Sequence, residues 1–227
     1  MSDGRRVVLI GGTGMVGGSA LRHALDDPRV GSVTSIGRRP TGLPRDPKLV
    51  EISHADFRDF TPLVDRLAGF DAALFCLGAY TGSIPDAEFR AVTADYPVAF
   101  AEALREHSPD VAFCFLSGAG ADPTEKSRMS FARYKGAAEK ALAALDFARL
   151  HVFRPGYIYP VEPRREPNLT YRLMRPLFPV LRRVHPDIGI PSHDLARAML
   201  HAGLEGTAPH ADVVLENRDI RALAARC

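Results

Sequence analysis

Short β-branched apolar runs alternate along the chain with longer stretches whose apolar residues recur at helical spacing. The pattern predicts strands at 6–11, 33–37, 48–53, 71–77, 111–117, 149–154 and 212–215. Between them it predicts helices at 15–26, 59–68, 87–106, 128–145, 169–183, 193–204 and 217–225. Strands in an all-parallel sheet are covered on both faces, so they read as continuous apolar runs rather than as an alternation. FDAALFCLG and DVAFCFLSG have that character. The predicted class is therefore α/β, a doubly wound parallel sheet joined by right-handed crossovers. At 227 residues the chain fits one such domain over 1–227.

Only 155–191 changes in texture. It holds Pro155, Pro160, Pro163, Pro167, Pro176, Pro179, Pro186 and Pro191, out of 18 prolines in the chain. We read it as a substrate-side lid segment on the same domain. Within it, Arg172, Arg175, Arg182 and Arg183 interleave with Leu173, Met174, Leu177, Phe178 and Leu181. Such a basic amphipathic stretch can rest on a membrane surface. A lid over the site is the preferred reading, because Pro176 and Pro179 interrupt any long helix. In GIPSHDLARAML, Ser192 reads as an N-cap with Asp194 in the first turn.

Composition is that of an ordinary globular protein, 46% hydrophobic and 25% charged, with a formal net charge of +2. That balance gives no field favouring nucleic acid. No segment reaches the ~20 apolar residues of a membrane span. The cysteines Cys76, Cys114 and Cys227 are odd in number and lack metal-ligand spacing. His54, His107, His151, His185 and His193 share no ligand spacing either, so no metal site is expected. Reduced cysteines and the lack of an apolar leader imply a cytoplasmic protein. Oligomeric state stays open.

The chemistry begins at VVLIGGTGMVGGSAL. Gly11, Gly14 and Gly17 stand between a predicted strand and a predicted helix. One glycine permits the tight turn, one the approach of backbone to a pyrophosphate, and one close helix–strand packing. The first amides of the helix, at Met15 and Val16, and the helix dipole then face the phosphates. Thr13 adds a hydroxyl. The strand and helix on either side predict a dinucleotide-binding turn, with a glycine-rich turn of structural importance only as the plainer alternative.

The second strand runs into Arg38 and Arg39, where an NAD site usually carries an acid for the ribose 2′-hydroxyl. A guanidinium suits a 2′-phosphate, so NADP is favoured over NAD. A solvated arginine pair is the plainer alternative. Asp56 and Phe57 follow the third strand, where an adenine ring could meet them. A surface aspartate and a core phenylalanine explain them equally well. Cys76, Leu77 and Gly78 offer small or apolar neighbours to the cofactor's backbone.

GGTGMVG, SIGRR, CLG, FLSGAGAD, the lysine of YKGAAEKAL, and FRPG occur in the order found in extended and atypical short-chain dehydrogenases/reductases. The chain resembles their compact NAD-dependent epimerase/dehydratase-like branch over roughly 6–220. The resemblance implies a serine that polarises a substrate carbonyl, matched by Ser117. It also implies a lysine that holds the nicotinamide ribose, matched by Lys135, and a tyrosine acid/base four residues before that lysine. Here that position is Phe131, which has no proton to give. Tyr134 is adjacent but ~100° around a helix. Tyr80 and Tyr157 are further candidates for the missing acid, as is water. Pro155, Gly156, Tyr157 and Ile158 match the turn that passes the nicotinamide.

Two functions follow. One is an NAD(P)-dependent oxidoreductase or epimerase-like enzyme acting on a small molecule that the sequence does not disclose. The other is an NADP(H)-binding sensor without efficient turnover, favoured by Phe131. A positioned general acid contributes roughly 10²–10⁴-fold, so its loss is the feature that separates them.

Overall fold

The computed structural model describes residues 4–162, 178, 183, 186–208 and 213–227. Seven parallel strands form the main sheet: β1 (Arg5–Ile10), β2 (Val30–Gly37), β3 (Leu49–Ser53), β4 (Ala72–Phe75), β5 (Ala112–Leu116), β6 (Arg149–Arg154) and β9 (Val214–Glu216). Their order is β3-β2-β1-β4-β5-β6-β9. The order reverses between β1 and β4, and in open α/β sheets ligands bind outside the carboxyl ends of strands at such a switch point.

Alternate residues of each strand serve opposite faces of the sheet. Val7 and Leu9 of β1 join the apolar cluster under α1 (Met15–Asp26), α5 (Ser192–Glu205) and α6 (Asn217–Ala224). Val8 and Ile10 join the opposite cluster, under α3 (Tyr96–His107) and α4 (Ser130–Ala144). Phe75, Phe113 and Phe115 are fully buried on that second side.

Several expectations are corrected. The segment 59–68 is only a six-residue 3-10 turn, Thr61–Arg66, with Pro62 near its start. The helix expected at 87–106 is α2 (Asp86–Arg90), a π-helical turn (Ala91–Asp95) and α3. Pro97 sits in the first turn of α3 and has no N–H to donate, so the ladder opens to an i→i+5 step just before it. Ser192 is the first residue of α5, and Pro191 holds the N-cap position without a side-chain bond. The sequence pattern also missed β7 (Tyr157–Tyr159) and β8 (Gly189–Pro191), a parallel pair of three residues each.

The helix expected at 169–183 lies outside the described residues, apart from Phe178 and Arg183. Phe178 is buried and stacks on Tyr159 with ring centroids 4.9 Å apart. It also meets Tyr157 at 5.3 Å.

Candidate active site

The site starts from the turn between β1 and α1. Gly11 has φ +95°, a conformation that L side chains rarely adopt. A Cβ at Gly17 would collide with the carbonyl oxygen of Gly11, so only glycine lets α1 approach the strand this closely. Gly14 is the N-cap of α1, and no side chain caps the helix or adds an acid to its first turn. The leading amides of α1 are thus left for an anionic ligand.

Past this turn, the carboxyl ends of β1, β4, β5 and β6 enclose a cavity of about 550 Å³. Gly14, Met15 and Val16 form one wall, and Cys76, Leu77 and Gly78 the next. Ser117, Phe131, Lys135, Pro155, Gly156, Tyr157 and Ile158 complete most of the rest. Residues from five separate parts of the sequence therefore converge on one space. Tyr80, Thr81, Gly118 and Ala119 also line it. A second, small cavity of about 50 Å³ lies at the end of β2, lined by Gly11, Thr13, Arg38, Arg39 and Phe57 among others. The glycine turn also borders a polar cleft of about 400 Å³ with Arg22, Thr41 and His193.

Asp56 lies outside these cavities. Its carboxylate is exposed and accepts the backbone N–H of Arg58 at 3.0 Å, closing a local turn. Phe57 is buried and stacks on Tyr96 at 5.8 Å. Gly17 lines none of the three either, since its part is helix packing.

Tyr134 is displaced from the reacting region. Its hydroxyl donates to Asp86 Oδ2 at 2.5 Å, and its ring lies 5.9 Å from Phe89. The helical offset from Lys135 turns it toward α2, so it is not the acid. Phe131 and Lys135 are one helical turn apart, and both face the cavity. A Cβ added at Gly118 would come within 2.5 Å of the Phe131 ring. The phenyl ring thus occupies the wall directly beside the end of β5.

Lys135 is buried at 6% exposure. Its ammonium donates to the carbonyl of Leu116 at 2.7 Å and lies 4.5 Å from the Phe115 ring centroid. Burial pushes its pKa down to about 8, against a smaller opposing pull from Glu139. The neighbouring Cys76 thiol is pushed up to about 12 by burial, which makes it an inert hydrophobe rather than a nucleophile.

Sequence reasoning missed Glu139. It is 5% exposed on α4, one turn beyond Lys135, and it accepts the hydroxyl hydrogen of Ser117. Arg154 grips the same carboxylate with both Nε, at 3.0 Å from Oε1, and Nη2, and reaches Glu216 at 3.1 Å with Nη1. A hydroxyl has one hydrogen. With that hydrogen on Glu139, Ser117 turns lone pairs to the cavity in the ligand-free chain. Turning that hydrogen toward a substrate carbonyl would give up the contact with Glu139. The Lys135–Glu139 spacing of four residues was the available signal. Asn217 was also missed. Its side chain accepts from the Gly156 amide at 2.9 Å and donates to the carbonyls of Asp187 and Gly189, so it fixes the turn at 155–158 against β8.

The protein fmp52, mitochondrial, of Emericella nidulans is 30% identical over 210 residues, covering 88% of this chain and 87% of the relative. This is a family relationship over nearly the whole length. The chain belongs to the family of the FMP52 proteins, among the atypical short-chain dehydrogenases/reductases.

Rat HTATIP2 is 30% identical over 155 residues, covering 68% of this chain and 63% of its own length. The match spans 64% of the FMP52 proteins of Coccidioides immitis and Saccharomyces cerevisiae. No family model matches. Among solved structures, the Bordetella bronchiseptica enzyme WbmG in complex with NAD has a TM-score of 0.66 at 16% identity, covering 95% of this chain and 73% of that one. A short-chain dehydrogenase/reductase from Saccharomyces cerevisiae has a TM-score of 0.64 at 14% identity, covering 98% and 99%. These likenesses show that the chain has the short-chain dehydrogenase/reductase fold.

The relatives also overturn the cytoplasmic expectation, since the FMP52 proteins are named mitochondrial. The three cysteines are free, and free thiols do not distinguish the cytoplasm from another reducing compartment.

Proposed function

We propose that this chain is an NADP(H)-binding oxidoreductase of the FMP52 family that acts on a small apolar molecule. The carrying observation is convergence. The uncapped N-terminus of α1, the Lys135 ammonium and the Pro155–Ile158 turn border one cavity at the topological switch point. The residues fit a dinucleotide on structural grounds. Gly11 and Gly17 tolerate no side chain, and among the described residues no side-chain cap bonds the amides that would meet a pyrophosphate.

Arg38 and Arg39 border the small cavity at the end of β2 and would hold a 2′-phosphate, which supports NADP over NAD. A reduced nicotinamide supplies a hydride when bound. The chain's own contributions are to seat the pyrophosphate on α1, hold the ribose with Lys135 and exclude water with apolar walls. The NADP(H) sensor is kept as a second reading on one observation, that Phe131 stands on the wall where an acid would serve. Thermal-shift titration with NADPH and NADH tests cofactor binding, and a carbonyl panel then separates enzyme from sensor.

A further inference from the structure

Three features of the large cavity constrain what it can reduce. Phe131 presents a ring with no proton beside Lys135. The Ser117 hydroxyl hydrogen is held by Glu139. Among the described lining residues, Lys135 is the one charged side chain, set in walls that include Leu77 and Ile158. The site therefore has a cation placed to hold an anion, while the usual tyrosine donor is replaced by Phe131 and the serine donor must compete with Glu139 for its hydrogen.

Hydride addition to a simple ketone leaves an alkoxide about as basic as hydroxide, whose conjugate acid, water, has a pKa of about 15.7. It must be protonated as it forms. Hydride addition to a quinone leaves a phenolate, whose conjugate acid lies near about 10. A phenolate survives as an ion beside an ammonium. Resting on the reading that a reduced nicotinamide binds here, we infer that the acceptor is a conjugated carbonyl of the quinone class and that Lys135 holds its reduced form as a phenolate.

The step balances without an acid from the protein. The acceptor gains one hydride, two electrons and a proton, from the reduced nicotinamide, which is oxidised to its cation. The quinone becomes the hydroquinone monoanion, and water supplies the second proton after release.

The experiment has three arms. Thermal shift with NADPH first establishes binding. With NADP+ saturating, 4-nitrophenol is then titrated by its phenolate absorbance, and its bound pKa should fall by about one unit or more. Lys135→Met should abolish that fall. Anaerobic NADPH oxidation is finally compared for 1,4-naphthoquinone and cyclohexanone, with the protein-free rate subtracted. The naphthoquinone kcat/KM should be at least about 100-fold higher, and Phe131→Tyr should move the ratio toward cyclohexanone by at least about tenfold.

NADPH binding with no quinone turnover, or an unshifted nitrophenol pKa, overturns the inference alone. So does comparable cyclohexanone reduction that is lost in Tyr157→Phe or Tyr80→Phe, because a tyrosine would then be the acid. Absence of NADPH binding overturns the cofactor reading itself.

Discussion

Glu139 accepts the hydroxyl hydrogen of Ser117 from one helical turn beyond Lys135, and Arg154 grips the same carboxylate from β6. This buried contact joins α4 to the ends of β5 and β6 and fixes how Ser117 meets the cavity. Breaking a buried ion pair leaves an uncompensated charge, which outweighs the loss of the pair itself. Glu139→Gln should lower the unfolding free energy by about 3 kcal/mol, the lower end of the range for breaking a buried pair because Arg154 is partly exposed, read from urea denaturation. A change below about 0.5 kcal/mol would mean that the contact is not formed.

Lys135 makes stability depend on pH in a defined direction. Its folded-state pKa is pushed down to about 8 from an ordinary value of 10.5, so the unfolded chain holds the proton more tightly. Stability therefore rises with pH between these values, as the cost of burying the ammonium disappears. Relative to Lys135→Met, the parent should gain about 2 kcal/mol between pH 7 and pH 10. Parallel pH–stability curves for the two proteins would contradict the burial assigned to Lys135.

Gly17 admits no side chain because its Cβ would strike the Gly11 carbonyl. Gly17→Ala should push α1 off β1, costing about 1–3 kcal/mol and weakening NADPH binding by at least about tenfold. Unchanged binding would place the pyrophosphate elsewhere.

On the proposed reading, Arg38 and Arg39 at the small cavity would hold the 2′-phosphate of NADP. A hydrogen bond to a charged group contributes about 1.5–3 kcal/mol. The double change Arg38→Ala, Arg39→Ala should weaken NADPH binding by about 10–100-fold and leave NADH binding nearly unaltered. Equal losses for both cofactors would remove the 2′-phosphate role.

The first βα unit was legible because its signals agree. An apolar run, a glycine turn and an amphipathic helix follow in order, and α1 has the bounds its periodicity predicts. The end of β5 was legible only in outline. Ser117 stands where the sequence places it, but its hydrogen-bond partner depends on Arg154, which is close to Glu139 only after β6 pairs with β5. In an alanine-rich helix Glu139 reads as another solvated charge. The β7–β8 pair escaped for a similar reason. Three-residue strands have no periodicity, and their partners are about thirty residues apart. At 87–106 the helical period is genuine, but Pro97 imposes a local break that apolar spacing does not register.

Isothermal titration calorimetry with NADPH and with NADH bears most directly on the central claim, that the amides opening α1 receive the pyrophosphate of a nicotinamide dinucleotide. One-site binding of both, tighter for NADPH by at least about tenfold and weakened by Gly17→Ala, is the predicted result. No heat with either cofactor at saturating concentration would contradict the account.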